Sequence, residues 1–235
     1  MNDLSFIAEN WKRVQERIIK KAEECGRDPS EISVVAVAKG YPPEYIREAV
    51  KIGINKIGEN RVQEAEKKIS LLSDLPCEWH MVGHLQRNKV KKAVKMFFLI
   101  HSVDSLDLAE EINKHAGKEG KKVDILLQLN LSKEPTKHGF KEEEFWRTYE
   151  KIFALKNLNI KGLMTIGPLT QDKDAIREVF RKLYNIWKKL IELTKLDLPY
   201  LSMGMSEDFE IAIEEGSNIL RLGRIIFQKD FEVRR

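Results

Sequence analysis

Ile32-Ser33-Val34-Val35-Ala36-Val37-Ala38-Lys39-Gly40-Tyr41-Pro42-Pro43 is a β-branched apolar run that breaks abruptly into turn chemistry. A run of this kind, apolar at consecutive positions, reads as a strand buried on both faces of a parallel sheet. Pro43 then opens a helix that Gly53 closes after Ile52. The same alternation continues along the chain. Strands are predicted at 32–38, 55–59, 78–82, 97–101, 123–129, 160–164, 199–202 and 218–222. Helices are predicted after them at 43–52, 61–72, 86–95, 105–117, 141–154, 172–195 and 207–215, with a short tail after the last strand. Strict alternation implies parallel strands with helical crossovers, and eight such units are a minimal (β/α)8 barrel. A doubly wound open sheet would carry a glycine-rich fingerprint after its first strand, and Lys39-Gly40-Tyr41-Pro42-Pro43 is not one. The fold class is therefore α/β, a single TIM barrel over residues 1–235.

One helix stands in front of this pattern. Phe6, Ile7, Trp11, Val14, Ile18 and Ile19 recur at helical spacing, with Asn2 or Asp3 as a cap and Cys25-Gly26 and Asp28-Pro29 as the stop. It has no strand partner, so it is expected to pack on or cap the barrel.

Composition narrows the function. Hydrophobic residues make up 42% of the chain, enough for a sizeable core, and the net charge of +4 is too small to imply nucleic acid. The densest basic run, Arg87, Lys89, Lys91, Lys92 and Lys95, reads as a solvated helix face. Cys25 and Cys77 form no CxxC and suit a reduced compartment. The N-terminus has no basic segment followed by a long apolar one, and no apolar run is long enough to span a bilayer. A cytoplasmic protein without a membrane partner is expected.

Lys39 ends a buried strand. Burial there would lower its pKa and leave a neutral amine able to attack an aldehyde; the alternative is a lysine that snorkels to solvent. In (β/α)8 barrels the site lies at the carboxyl ends of the strands, with phosphate held after strands seven and eight. After strand seven comes Ser202-Met203-Gly204-Met205-Ser206-Glu207-Asp208. Ser206 at a helix start is either an N-cap or part of a phosphate cradle. After strand eight, Arg221-Leu222-Gly223-Arg224 offers a close-approach glycine and a positive charge. Alternation points Arg221 into the barrel, where it needs a partner: Glu59, or a ring nitrogen of a bound cofactor. A lysine amine, a phosphate cradle and an inward arginine together suggest pyridoxal 5′-phosphate (PLP).

The chain resembles the pyridoxal phosphate homeostasis protein family, related in fold to the N-terminal barrel of alanine racemase. The matching segments run nearly end to end: Val35-Ala36-Val37-Ala38-Lys39, Gly58-Glu59-Asn60-Arg61-Val62-Gln63-Glu64, Trp79 through Lys89, His101-Ser102-Val103-Asp104-Ser105, Gly162-Leu163-Met164, Leu201 through Ser206, and Arg221 through Phe227. The resemblance implies a Schiff base at Lys39, phosphate contacts from Ser206, Gly223 and Arg224, and Arg221 against the pyridine nitrogen. Asn60 and Met203 would line the pocket. Gln228 stands where the family usually has glycine, beyond the phosphate turn. Position 224 often carries a small hydroxyl residue in the family, so Arg224 is expected to contribute its backbone N–H.

Several of these residues also have plain structural readings. Asn60 with Gln63 looks like a capping box. His80 and His84, four apart, lack a third ligand in sequence, so no metal is expected there. Lys137 and His138 lie on the loop after strand five and are either solvated or near the ligand. Met164, Met203 and Met205 fit core or cofactor ring equally well.

Arg221 also bears on the reaction class. Guanidinium donates but does not accept, so it leaves the pyridine nitrogen unprotonated and the ring a poor electron sink. Robust turnover is therefore not expected. The implied role is buffering PLP and delivering it to PLP-dependent apoenzymes, from a monomer or weak dimer. The alternative is a small amino-acid racemase, for which Tyr41 is the nearest second acid/base, since the sequence shows no counterpart of the racemase C-terminal β domain. A phosphosugar enzyme with a lysine Schiff base is a third reading, although aldolase lysines usually sit later in the barrel.

Overall fold

In the computed structural model, residues 4–132, 134–229 and 231 are described. The expected cap residues Asn2 and Asp3 lie outside the described residues. The strands are β1 (Ser33–Val37), β2 (Lys56–Glu59), β3 (Glu78–Met81), β4 (Leu99–Val103), β5 (Val123–Leu129), β6 (Leu158–Thr165), β7 (Tyr200–Ser202) and β8 (Ile219–Leu222). The helices are α1 (Ser5–Glu24), α2 (Pro43–Lys51), α3 (Val62–Leu71), α4 (Val90–Met96), α5 (Leu106–Lys118), α6 (Glu142–Phe153), α7 (Lys173–Thr194), α8 (Phe209–Glu214) and α9 (Arg224–Phe227). The strands form a closed barrel in sequence order, and β8 returns to pair in parallel with β1, setting Val35 beside Arg221. This is a (β/α)8 barrel with an additional N-terminal helix.

Two apolar layers hold it. An inner cluster of Val35, Val82, Leu99, Leu126, Met164 and Ile219 fills the barrel. A much larger cluster lies between the strands and the ring of helices. Helix α1 buries Ile7, Val14 and Ile18 on one stripe. Each such side chain contributes roughly 1.5–3 kcal/mol. The partly exposed pair Arg17–Glu210, at 2.9 Å, contributes about 1 kcal/mol or less. The apolar stripe therefore fixes where α1 docks, and the ion pair refines it. Asn10 Nδ2 donates to the Ile226 and Gln228 carbonyls, so α1 packs beside the barrel's end and holds α9 in place.

Beyond shifts of up to two residues at the ends of elements such as β6 and α8, two departures from expectation have a readable cause. Strand β4 begins at Leu99, because α4 continues to Met96 and Phe97 is used as its cap. The segment after β8 is the helical turn α9 rather than a plain tail. The basic run on and before α4 behaves as a surface: Arg87, Lys92 and Lys95 pair with Asp107, Glu66 and Glu119.

Candidate functional site

The carboxyl ends of β7, β8 and β1 are neighbours, and they carry most of the candidate residues. Lys39 follows β1 in the turn Ala38-Lys39-Gly40-Tyr41, closed by Tyr41 N–H donating to the Ala38 carbonyl at 3.1 Å. Gly40 has a φ of 75°, a backbone state L side chains rarely adopt. The expected burial of Lys39 is not found. Lys39 is exposed, since the strand ends at Val37 and the turn lifts the side chain clear of the core.

What is buried is a second lysine, Lys68, which is not among the residues expected from the sequence. Lys68 on α3 donates to Glu59 Oε1 at 2.6 Å, to Glu64 Oε1 at 2.7 Å and to the Ala38 carbonyl at 2.7 Å. Glu64 Oε1 also accepts from Gly40 N–H at 2.8 Å. Burial pushes the Glu59 carboxyl up, and the Lys68 ammonium only partly offsets this. For Glu64 burial also acts upward, but bonds from Lys68 and Gly40 outweigh it and hold the carboxyl below its ordinary range. The network grips the residues on both sides of Lys39. Its only sequence signal is Glu64 and Lys68 at i, i+4 on a helix after a strand-end Glu59.

Glu59 is therefore not the partner of Arg221. Arg221 is 4% exposed and points inward, as alternation required. It donates from Nη1 to Ser202 Oγ at 2.6 Å and from Nη2 to the Thr165 carbonyl at 2.8 Å. Burial lowers its pKa to about 10, against the opposing pull of Asp208, so it stays cationic near neutral pH. Ser202 Oγ lies 3.0 Å from His101 Nδ1, and His101 Nε2 lies 3.0 Å from His80 Nδ1. Both imidazoles are driven toward neutrality, His80 to about 3 and His101 well below its ordinary value, chiefly by burial. Because Ser202 accepts from Arg221, its own proton is free for His101 Nδ1. That sets the proton of each ring on Nε2, leaving His80 Nε2 as a buried donor without a bond.

Ser206 is buried, and its Oγ accepts from Ile225 N–H in the first turn of α9 at 3.3 Å. The N-cap reading for Ser206 fails: α8 starts at Phe209, with Asp208 as its cap residue. Asp208 Oδ1 instead accepts from Met205 N–H at 2.5 Å and ties the loop shut, while burial pushes its carboxyl up. Gly204, at φ 96°, leaves a Cβ only 2.6 Å from Ala212 Cβ, so only glycine fits this turn. Gly223 lies against β1: a Cβ there would sit 3.0 Å from the Val37 carbonyl oxygen.

Other candidates separate from this group. The Arg224 side chain is exposed and pairs outward with Glu207 Oε1 at 2.8 Å, leaving its backbone N–H at the turn. Met203 is fully buried in the layer between strands and helices, not in the inner cluster. Asn60 is half-buried after β2, and the capping box is absent: α3 is capped at Arg61 without a side-chain bond. Tyr41 stacks on Tyr45 and packs at a tilt against Phe227, with centroids at 5.5 and 5.2 Å, and burial raises its hydroxyl pKa. Lys137 donates to Glu134 and to the Gly167 carbonyl, bracing the loops after β5 and β6.

The comparisons with known proteins bear on the fold and the family. Residues 2–229 match the family model described as alanine racemase, N-terminal domain. A pyridoxal phosphate homeostasis protein of Aquifex aeolicus is 43% identical over 219 residues, covering 93% of this chain and 96% of that protein. One from Pseudomonas aeruginosa is 38% identical over 224 residues, covering 95% and 96%. The PLP-bound structure of PipY from Synechococcus elongatus superposes with a TM-score of 0.81 at 36% identity, covering 89% of this chain and 99% of that one. The fold is thus that of the alanine racemase N-terminal barrel. Within that class, the chain belongs to the pyridoxal phosphate homeostasis protein family.

Proposed function

We propose that this chain binds pyridoxal 5′-phosphate at the β7–β8–β1 mouth, holds it as a Schiff base on Lys39, and buffers or delivers it without robust catalytic turnover. The supporting relatives are named for PLP homeostasis, and PipY binds PLP in its structure. The observation that carries the reading is the approach of Gly223 to the Val37 carbonyl, which brings the turn after β8 within two residues of Lys39. When bound, PLP supplies an aldehyde that condenses with a primary amine and a ring that withdraws electrons.

The residues present fit that group. Ser206 Oγ and the Arg224 backbone N–H at the start of α9 form a small anion cradle. The rest of the Arg221 donor set is left for a ring acceptor, and its charge keeps that acceptor unprotonated. Asn60 borders the mouth from β2, and Met203 supports the Gly204 turn from beneath. The exposed Lys39 amine is reachable from solvent, which suits loading and release.

Tyr41 argues against racemisation. Its ring is locked against Tyr45 and Phe227, and its raised pKa makes it a poor proton acceptor near neutral pH. The recipients would be PLP-dependent apoenzymes, met in the cytoplasm by a monomer or weak dimer. Among the described residues no helix is long and apolar enough to cross a membrane.

Borohydride reduction of the PLP-loaded protein tests the site. The expected result is loss of the visible band and a phosphopyridoxyl group mapped to Lys39 by mass spectrometry. A label on another lysine, or no band after PLP addition, overturns the reading. Rapid α-proton exchange of amino acids in deuterated buffer, absent from Lys39→Ala, would establish the racemase instead.

A further inference from the structure

Across the mouth from Lys39, the loops after β3, β4 and β5 bring His84, Asp104 and His138 together. His84 Nδ1 is 3.0 Å from Asp104 Oδ2, and His138 Nδ1 is 3.6 Å from the same oxygen. The two imidazoles stack with centroids 3.7 Å apart and planes within 11°. One candidate ligand atom from each residue lies within 4.8 Å of the others.

We propose that these three side chains form a site for one borderline first-row divalent cation, with zinc the best match. Tetrahedral zinc with bonds of about 2.0–2.1 Å places its ligand atoms roughly 3.3–3.4 Å apart. The observed 3.0 and 3.6 Å separations straddle that edge length. An ion entering between the carboxylate and the rings would replace their direct hydrogen bonds without moving the loops. The two rings now lie face to face, so the half-exposed His138 ring would unstack and turn about its side-chain torsions to bring its Nδ1 lone pair onto the ion, with each ring proton on Nε2. Asp104 is only 10% exposed and is oriented from below, with Ser105 Oγ 3.5 Å from its other oxygen. Two neutral imidazoles and one carboxylate match zinc chemistry better than that of magnesium or calcium, which prefer oxygen. Three protein ligands leave a fourth position for water at the rim. The ion would cross-link the three loops that carry these residues. This site involves none of the residues assigned to PLP.

His80 and His84, four apart in sequence and not expected to share a metal, are separated by the fold. His80 turns into the barrel to meet His101, while His84 turns out to Asp104.

The test is titration of the tag-free, chelator-treated full chain with Co2+, followed by Zn2+ competition. The expected result is one equivalent of Co2+ with a visible ligand-field band that Zn2+ abolishes. His138→Ala, on an exposed loop, should weaken binding more than about tenfold while the far-UV spectrum stays unchanged. Asp104→Asn should do the same. Absence of saturable binding in the micromolar range overturns the proposal. So does stoichiometric binding that His138→Ala leaves intact, which would place the ion elsewhere. PLP absorbance measured on the same samples reports the other site separately.

Discussion

Lys68 Nζ stands 2.6 Å from Glu59 Oε1, and Glu59 is 0% exposed. The second carboxylate oxygen, Oε2, has no partner, so the ammonium is what makes a charge at Glu59 tolerable. Lys68→Met removes that support and leaves a buried carboxylate. The expected cost is about 3–5 kcal/mol in urea unfolding at neutral pH. The pH dependence has a definite sign. The folded pKa of Glu59 is raised, and without Lys68 it rises further. Stability from such a group is present below its unfolded value and lost as pH climbs through the raised folded value. The Lys68→Met deficit should therefore shrink on acidification, and Glu59→Gln/Lys68→Met should recover much of it. A deficit that stays constant with pH, and that the double variant does not relieve, would mean that Glu59 is not the group at stake.

Lys39 takes no part in that packing. Lys39→Ala should leave the unfolding midpoint nearly unchanged, within roughly 0.5 kcal/mol, as for an exposed side chain. The same variant should lose the borohydride-sensitive band while retaining PLP through the phosphate cradle. Equilibrium dialysis with PLP separates these effects. Complete loss of retention would place most of the binding energy in the covalent link rather than in Ser206 and the α9 turn.

Ser206 Oγ accepts from Ile225 N–H and faces the same turn as Gly223. Ser206→Ala should weaken PLP retention by about 1–2 kcal/mol, roughly 5- to 30-fold, the range for a hydrogen bond to a charged group. Arg224→Ala should change affinity little, because its guanidinium is held by Glu207 and away from the turn. A larger effect at Arg224 than at Ser206 would reverse the assignment of the two.

The barrel was legible because its strands are short β-branched runs bounded by glycine, proline and helix starts. The fifth strand matched at both ends, Val123 and Leu129. The fourth did not, because Met96-Phe97-Phe98-Leu99-Ile100 is apolar throughout and has no period to show where helix becomes strand. Arg221 pointed inward as strand alternation requires, but its partners were unreadable. The Thr165 carbonyl and Ser202 hydroxyl arrive from two other strands, and only the closed barrel sets them together. The Lys68 brace and the His84–Asp104–His138 cluster were hidden for the same reason. Lys39 was found from its place at a strand end, yet the burial argued for it was wrong, because Ala38 is the last buried residue and the chain turns outward at Lys39 and Gly40.

The chain of bonds from Arg221 through Ser202 and His101 to His80 gives the barrel floor its own pH dependence. His80 titrates near 3 when folded and near 6.5 when unfolded, with burial first and the Lys56 charge second among the causes. Between those values the unfolded chain binds a proton that the folded chain refuses, so stability must fall as pH drops from 6.5 toward 3. A shift of this size is worth several kcal/mol when fully expressed. His80→Asn keeps an acceptor for His101 Nε2–H but cannot titrate, so its stability should fall less steeply over this window. Ser202→Ala acts at the other end of the chain. It removes the acceptor for Arg221 Nη1 and the donor for His101 Nδ1, costing about 1–3 kcal/mol for polar groups left unpaired. With Arg221 freed on that side, the visible band of PLP-loaded protein should also shift. Urea midpoints measured from pH 4 to 8 decide the first point. An acid limb equally steep in His80→Asn would assign it to His101 or to the surface carboxylates instead.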